Sequence, residues 1–95
     1  MSDKEAYERK LEAKLEEWQA DIDKLRAQAK EAGADAQIRY QQQIDELRKY
    51  RDDMEARLAE MREAQSAAWT DIKGGVDKAW DDMSKAMKDA WKRLS

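Results

Sequence analysis

The stretch AWTDIKGGVDKAWDDMSKAMKDAWKRL, residues 68–94, carries one dipeptide three times at a fixed interval: Ala68-Trp69, Ala79-Trp80 and Ala90-Trp91. Thr70-Asp71-Ile72 follows the first copy and Asp81-Asp82-Met83 the second. An interval of 11 residues is three helical turns, so each Trp lands about 20° from the one before it on a single face. The repeat therefore predicts an α-helix with an aromatic row. Ala68, Gly75, Ala79, Ala86 and Ala90 fall to one side of that row. They make a low flank where a neighbouring backbone can approach closely.

The same face extends through the rest of the chain. It runs Tyr7, Leu11, Leu15, Trp18, Ile22, Leu25, Ala29, Ala32, Ala36, Tyr40, Ile44, Leu47, Arg51, Met54, Leu58, Met61, Gln65, Trp69, Ile72, Val76, Trp80, Met83, Met87, Trp91, Leu94. Only Arg51 and Gln65 interrupt it, in a chain that is 41% hydrophobic overall, so the helical period is firm. Some stretches step like heptads, as from Ile44 to Met61, and others follow the 3-4-4 pattern of an 11-residue repeat. The first favours a left-handed supercoil; the second leaves helices nearly straight. The fold class expected is all-α, a long amphipathic helix or helical hairpin forming a coiled coil or helical bundle with mixed heptad and hendecad repeats.

Backbone breakers are few: Gly33, the pair Gly74-Gly75, and no proline. Two interior glycines cost a helix roughly 2 kcal/mol relative to alanine, which makes Gly74-Gly75 the first candidate for a hinge and Gly33 the second. Lys73 suits a helix C-terminus and Asp77 a following N-cap. Against both hinges, the stripe passes through without a phase jump, as one continuous helix would require. Ser2 with Glu5 matches a capping box, so the first helix is expected to start near residue 3. All 10 Glu lie at or before Glu63, whereas three of the four Trp follow residue 68. Residues 1–67 are thus expected to form a charged coiled-coil helix and 68–95 a stickier, Trp-rich amphipathic one.

Composition says how the stripe should be covered. Of the hydrophobic residues, 16 are Ala and only 11 are Val, Ile or Leu, so a private core in 95 residues is small. A homo-oligomer is expected on that ground. Its interface would take Leu11, Leu15, Trp18, Ile22, Leu25, Ile44, Leu47, Met54, Leu58, Met61, Trp69, Ile72, Val76, Trp80, Met83, Met87, Trp91 and Leu94. Arg51 and Gln65 are candidates for setting register or oligomer order, or for lying at an exposed helix end. Six pairs place an acid four residues before a base: Glu5/Arg9, Asp35/Arg39, Asp45/Lys49, Asp53/Arg57, Asp81/Lys85 and Asp89/Arg93. Each supports its helix by about 0.2–0.5 kcal/mol.

Chemistry is scarce. Cys and His are both absent, which removes disulfides, thiolate nucleophiles, Cys- or His-based zinc sites and the commonest general base. Asp52-Asp53 and Asp81-Asp82 point about 100° apart on a helix and match no calcium loop, so no metal and no cofactor are expected. Net charge is −3 with both signs interspersed. The one basic cluster, Arg48-Lys49-Tyr50-Arg51, sits among Asp45, Glu46, Asp52 and Asp53, and nucleic acid is not an expected partner. With a hydrophilic start and no run near 18 apolar residues, a cytoplasmic protein without a transmembrane segment is expected.

The Ala-Trp-x-Asp segment and the Leu/Glu/Lys-rich rod before it resemble a group of short uncharacterised bacterial coiled-coil-domain proteins. That resemblance covers most of the chain and implies a helical fold, with no catalytic residue or cofactor to carry over. The 11-residue repeats are also similar to those of exchangeable apolipoproteins, which lie on lipid. The chain departs from them between Ala68 and Ser95, where six basic and five acidic residues leave no strongly Lys-dominated polar face. Three functions follow as expectations: a non-enzymatic, self-associating structural or scaffold protein; an amphipathic binder of a lipid or granule surface; and an adaptor that docks a partner helix.

Overall fold

Gly33 is where the chain first reverses. In the computed structural model, which describes residues 3–65 and 67–94, α1 spans Asp3–Glu31 and α2 spans Ala34–Glu63. Gly33 between them takes φ −66° and ψ 165°, an extended N-cap with no side chain to bond the first amides of α2. The Gln37 amide and carbonyl-directed bonds supply the local hold: its backbone N–H donates to Gly33 O at 2.9 Å and its Nε2 to Ala32 O at 3.0 Å. The region expected to be one charged helix is thus an antiparallel hairpin. The cap expected from Ser2 lies outside the described residues.

The second reversal falls between Glu63 and Trp69, after which α3 runs Trp69–Leu94. Ala64 is extended at φ −72° and ψ 142°, and the Gln65 carbonyl accepts the N–H groups of Ala68 at 2.9 Å and Trp69 at 3.2 Å. Gly74-Gly75 does not turn the chain; both residues lie inside α3. Their helix-breaking cost is met by the residues on either side, because Ile72, Val76 and Trp80 keep one face and pack on the core only if the helix continues.

The described residues form three helices of 29, 30 and 26 residues, in a bundle 51 Å long and 19 × 17 Å across. Each turns its stripe to the common axis. Ile22, Leu25, Ile44, Leu47, Met54, Met61, Val76 and Met83 are fully enclosed there, with Leu11, Leu15, Trp18, Leu58, Met87 and Ala90 also buried. The residues expected at an interface between copies therefore face one another within one chain. Two reversals of direction bring three stripe segments together, burying their centres and leaving Tyr7, Tyr40, Trp69, Trp80 and Trp91 half-exposed.

The three seams differ. The α1 and α2 backbones approach closely, as do α2 and α3, while α1 and α3 stand further apart. The alanine flank explains the α2–α3 approach: an added Cβ at Gly75 would meet the Arg57 guanidinium of α2 at 3.6 Å, and Ala86 lines a groove with Gln43, Glu46 and Leu47. On the opposite edge of α3, indole rings fill the wider gap toward α1.

Candidate functional site

The α1–α3 seam gathers most of the molecule's aromatic rings. At 100° per residue, Trp69, Trp80 and Trp91 fall within about 40° of one another, at the boundary where the apolar face of α3 meets Lys73, Asp77 and Ser84. All three are half-buried. Trp80 meets Trp18 of α1 edge-on, with ring centres 6.0 Å apart at 61°, and Lys14 of α1 sits 5.2 Å over the Trp80 ring. Toward the end where α3 begins, Tyr7 tilts against Trp69 at 6.4 Å, and Lys73 lies 5.2 Å from the Tyr7 ring centre and 5.8 Å from that of Trp69. Cation–π contacts at such exposure contribute about 0.5–1 kcal/mol each, so they trim the seam rather than hold it.

Two of these aromatics have polar anchors. Trp18 is 4% exposed, and its Nε1–H donates to Leu47 O of α2 at 3.0 Å, which satisfies the one polar atom of an otherwise apolar ring. The Tyr7 hydroxyl donates to Asp77 Oδ1 of α3. Burial, then the hydrogen bond and the charge of Asp77, push the Tyr7 phenol well above its ordinary value of 10.0. It is accordingly a neutral donor at physiological pH.

Beside the two tryptophans the seam opens into a groove of about 260 Å³, lined by Lys14, Glu17, Trp18, Asp21, Trp80, Ser84 and Met87. A second groove of about 370 Å³ lies between α2 and α3, where Tyr50, Lys85, Asp89 and Arg93 mix both charges around Leu47 and Ala86. Neither is an enclosed cavity, and neither converges polar groups on one point as a small-ligand site does. Among the described residues, no group of three or more His, Cys, Asp or Glu is placed to hold a metal ion.

Among the acids and bases singled out in the sequence, two ion pairs form on α2. Asp52 accepts from Arg51 at 3.0 Å and Asp53 from Arg57 at 2.9 Å. Arg51 leaves the basic cluster: its Nη1 crosses to Gln19 Oε1 of α1, while Tyr50 turns its ring edge to Trp18 at 6.4 Å. Arg48-Lys49-Tyr50-Arg51 is thus divided between a helix junction and the surface. Gln65, the other polar residue on the stripe, stands in the second turn and is exposed.

Sequence reasoning found the aromatic row and missed Tyr7–Asp77, which joins residues 70 apart through a helix pairing that no spacing encodes. It also missed Lys4. That ammonium donates to Arg62 O at 3.0 Å and Ala64 O at 2.9 Å, closing the C-terminal carbonyls of α2. Among the described residues, no helix is long and apolar enough to cross a membrane. Comparison with protein-family models, with curated proteins and with solved structures finds no match to this chain.

Proposed function

We propose that this protein is a non-enzymatic helical-bundle binder, in which the α1–α2 hairpin is the fixed part and α3 is an amphipathic helix that exchanges its intrachain seat for an apolar surface, in the first instance lipid. One observation carries the reading. The tryptophans of α3 stand half-buried at the border between its apolar and polar faces, and Trp69 and Trp80 lie on the wide α1–α3 seam against Tyr7 and Trp18. An indole at such a border suits the headgroup level of a membrane, with its apolar body facing inward and its N–H facing water. Lys73 and Lys14, already lying over aromatic rings, have the long stems that let an ammonium reach headgroups from that depth.

Binding of this kind needs α3 to leave both α2 and α1, and the latch on its α1 side is Tyr7–Asp77. The unaltered chain is mixed with vesicles of phosphatidylcholine, and of phosphatidylcholine with phosphatidylglycerol, while Trp emission is recorded. The expected result is a shift to shorter wavelength with retained helix, reached at lower lipid concentration by Tyr7→Phe. Unchanged emission with both vesicle compositions overturns the reading.

A further inference from the structure

Between Glu63 and Trp69, where the chain reverses for the second time, there is neither glycine nor proline. Of the five residues there, Ala64, Gln65, Ala67 and Ala68 are good helix formers and Ser66 is intermediate. The apolar stripe also crosses this turn in phase: Leu58, Met61, Gln65, Trp69 and Ile72 follow at steps of three and four, as on one uninterrupted helix face. Both reversals pass through an extended residue, but the first places Gly33 there, a poor helix former, and the second Ala64. Local preference thus favours a turn at Gly33 and favours helix at Gln65. Opposing that preference at the second site are the docking of α3 on its own hairpin and the Lys4 ammonium on the Arg62 and Ala64 carbonyls.

We propose that α2 and α3 straighten through this turn into one continuous helix, and that the α3 half then packs on the α1–α2 hairpin of a second copy, reciprocally, to give an exchanged dimer. The occupant follows from the fold. The surface vacated when α3 leaves is the one shaped to receive α3, with Trp18 waiting for Trp80 and Tyr7 for Asp77. A second copy supplies the same groups in the same order, so a two-fold exchange closes without leaving an open face. Straightening also returns the terminal amides and carbonyls at the turn to the helical ladder. Against it stands the entropy of association, which makes the dimer depend on concentration.

The fused helix is about 60 residues and about 90 Å long at 1.5 Å per residue, compared with 51 Å for the closed chain. This inference shares with lipid binding only the release of α3. It alone requires the turn to become helical.

Gln65 offers matched variants. Gln65→Leu adds an apolar residue to the stripe of the fused helix. Gln65→Pro forbids that helix, while Ala64 already has the extended geometry a following proline demands. Ala67→Gly with Ala68→Gly disfavours the fused helix without constraining the closed turn, and serves where the proline variant does not fold. Each chain is refolded from denaturant at low micromolar and at near-millimolar concentration, then examined by sedimentation for mass and by small-angle scattering for maximum dimension.

The expected result is a dimer in the unaltered chain at high concentration, with a maximum dimension near that of the fused helix. It rises severalfold in Gln65→Leu and falls at least severalfold in Gln65→Pro or the double glycine variant. Three results overturn the proposal: a dimer equally abundant in the proline or glycine variant, a dimer no longer than the closed chain, or no dimer in either the unaltered chain or Gln65→Leu. Vesicle binding retained by a variant that cannot dimerise separates the two readings.

Discussion

The α1–α2 hairpin and α3 are both helical and both contribute to one core, yet they are joined to the bundle by different physics. The hairpin is tied by polar bonds along its length. Lys4 reaches the α2 carbonyls at one end, Arg62 meets Glu12, Arg51 meets Gln19, Trp18 donates to Leu47, and Tyr40 donates to Gln28 Oε1 at 3.3 Å near the other end. α3 docks through Val76, Met83, Met87 and Ala90 and through its indole edge, with Tyr7–Asp77 as a latch. Apolar contact is strong but indifferent to which surface supplies it, whereas directional bonds fix register and partner. The hairpin is therefore specified, and α3 is attached.

The sharpest way to break that contrast is to remove an indole from each side of the α1–α3 seam. Trp18→Ala takes out a buried ring that touches both α2 and α3, and a loss of about 3–5 kcal/mol is expected in denaturant unfolding. A domain of this size has only about 5–14 kcal/mol in total, so the whole chain approaches its limit. Trp80→Ala, at a half-buried site, is expected to cost about half as much. Its hydrogen-exchange protection should fall in α3 and hold in the hairpin; equal loss in both would erase the distinction drawn here.

The latch comes next. Tyr7→Phe keeps the ring and removes the hydroxyl, with an expected loss of about 1 kcal/mol. Because the phenol is held above its ordinary value of 10.0, the folded state keeps this proton more tightly than the unfolded chain does. The stabilisation is then complete below about pH 10 and declines as pH rises through the raised value. The stability difference between the native chain and Tyr7→Phe should accordingly shrink above pH 10 and stay constant between pH 6 and 9, as read by urea midpoints.

Glycine replacements sharpen the comparison with smaller gains. Gly74 is helical and a Cβ there meets no atom within 4 Å, so Gly74→Ala is expected to add up to about 1 kcal/mol, and specifically to slow exchange in α3. A destabilised variant would show that α3 uses a bend at this point. Gly33→Ser places a hydroxyl on an extended N-cap with open space around it, for a gain of a few tenths of a kcal/mol confined to the hairpin. Thermal midpoints in the two variants should move in that order.

Periodicity exposed the helices and which face of each is apolar. Among the described residues, every buried large side chain, from Leu11 to Met87, stands on the stripe as traced in sequence; Ala90 lies on the alanine flank beside it. Periodicity does not say whether the cover comes from another copy or from the same chain, because both satisfy the same pattern. Gly33 was visible as a place to turn. The turn at Gln65 was hidden, since its residues favour helix and its phase is unbroken. Gly74-Gly75 misled for the converse reason: local cost pointed to a hinge, and the packing of Ile72, Val76 and Trp80 outweighs it. The aromatic row was legible from its interval, while the pairing of Tyr7 with Asp77 depends on how three helices align end to end.

The polar ties of the hairpin all lie within its own residues, from Lys4 to Ala64. During synthesis that unit can close while the tryptophan repeat is still inside the ribosome, and the repeat then emerges beside a finished template. A chain assembled in this order meets its own groove before it meets a neighbour's, so fresh protein should start out as single bundles and reach any paired form only later.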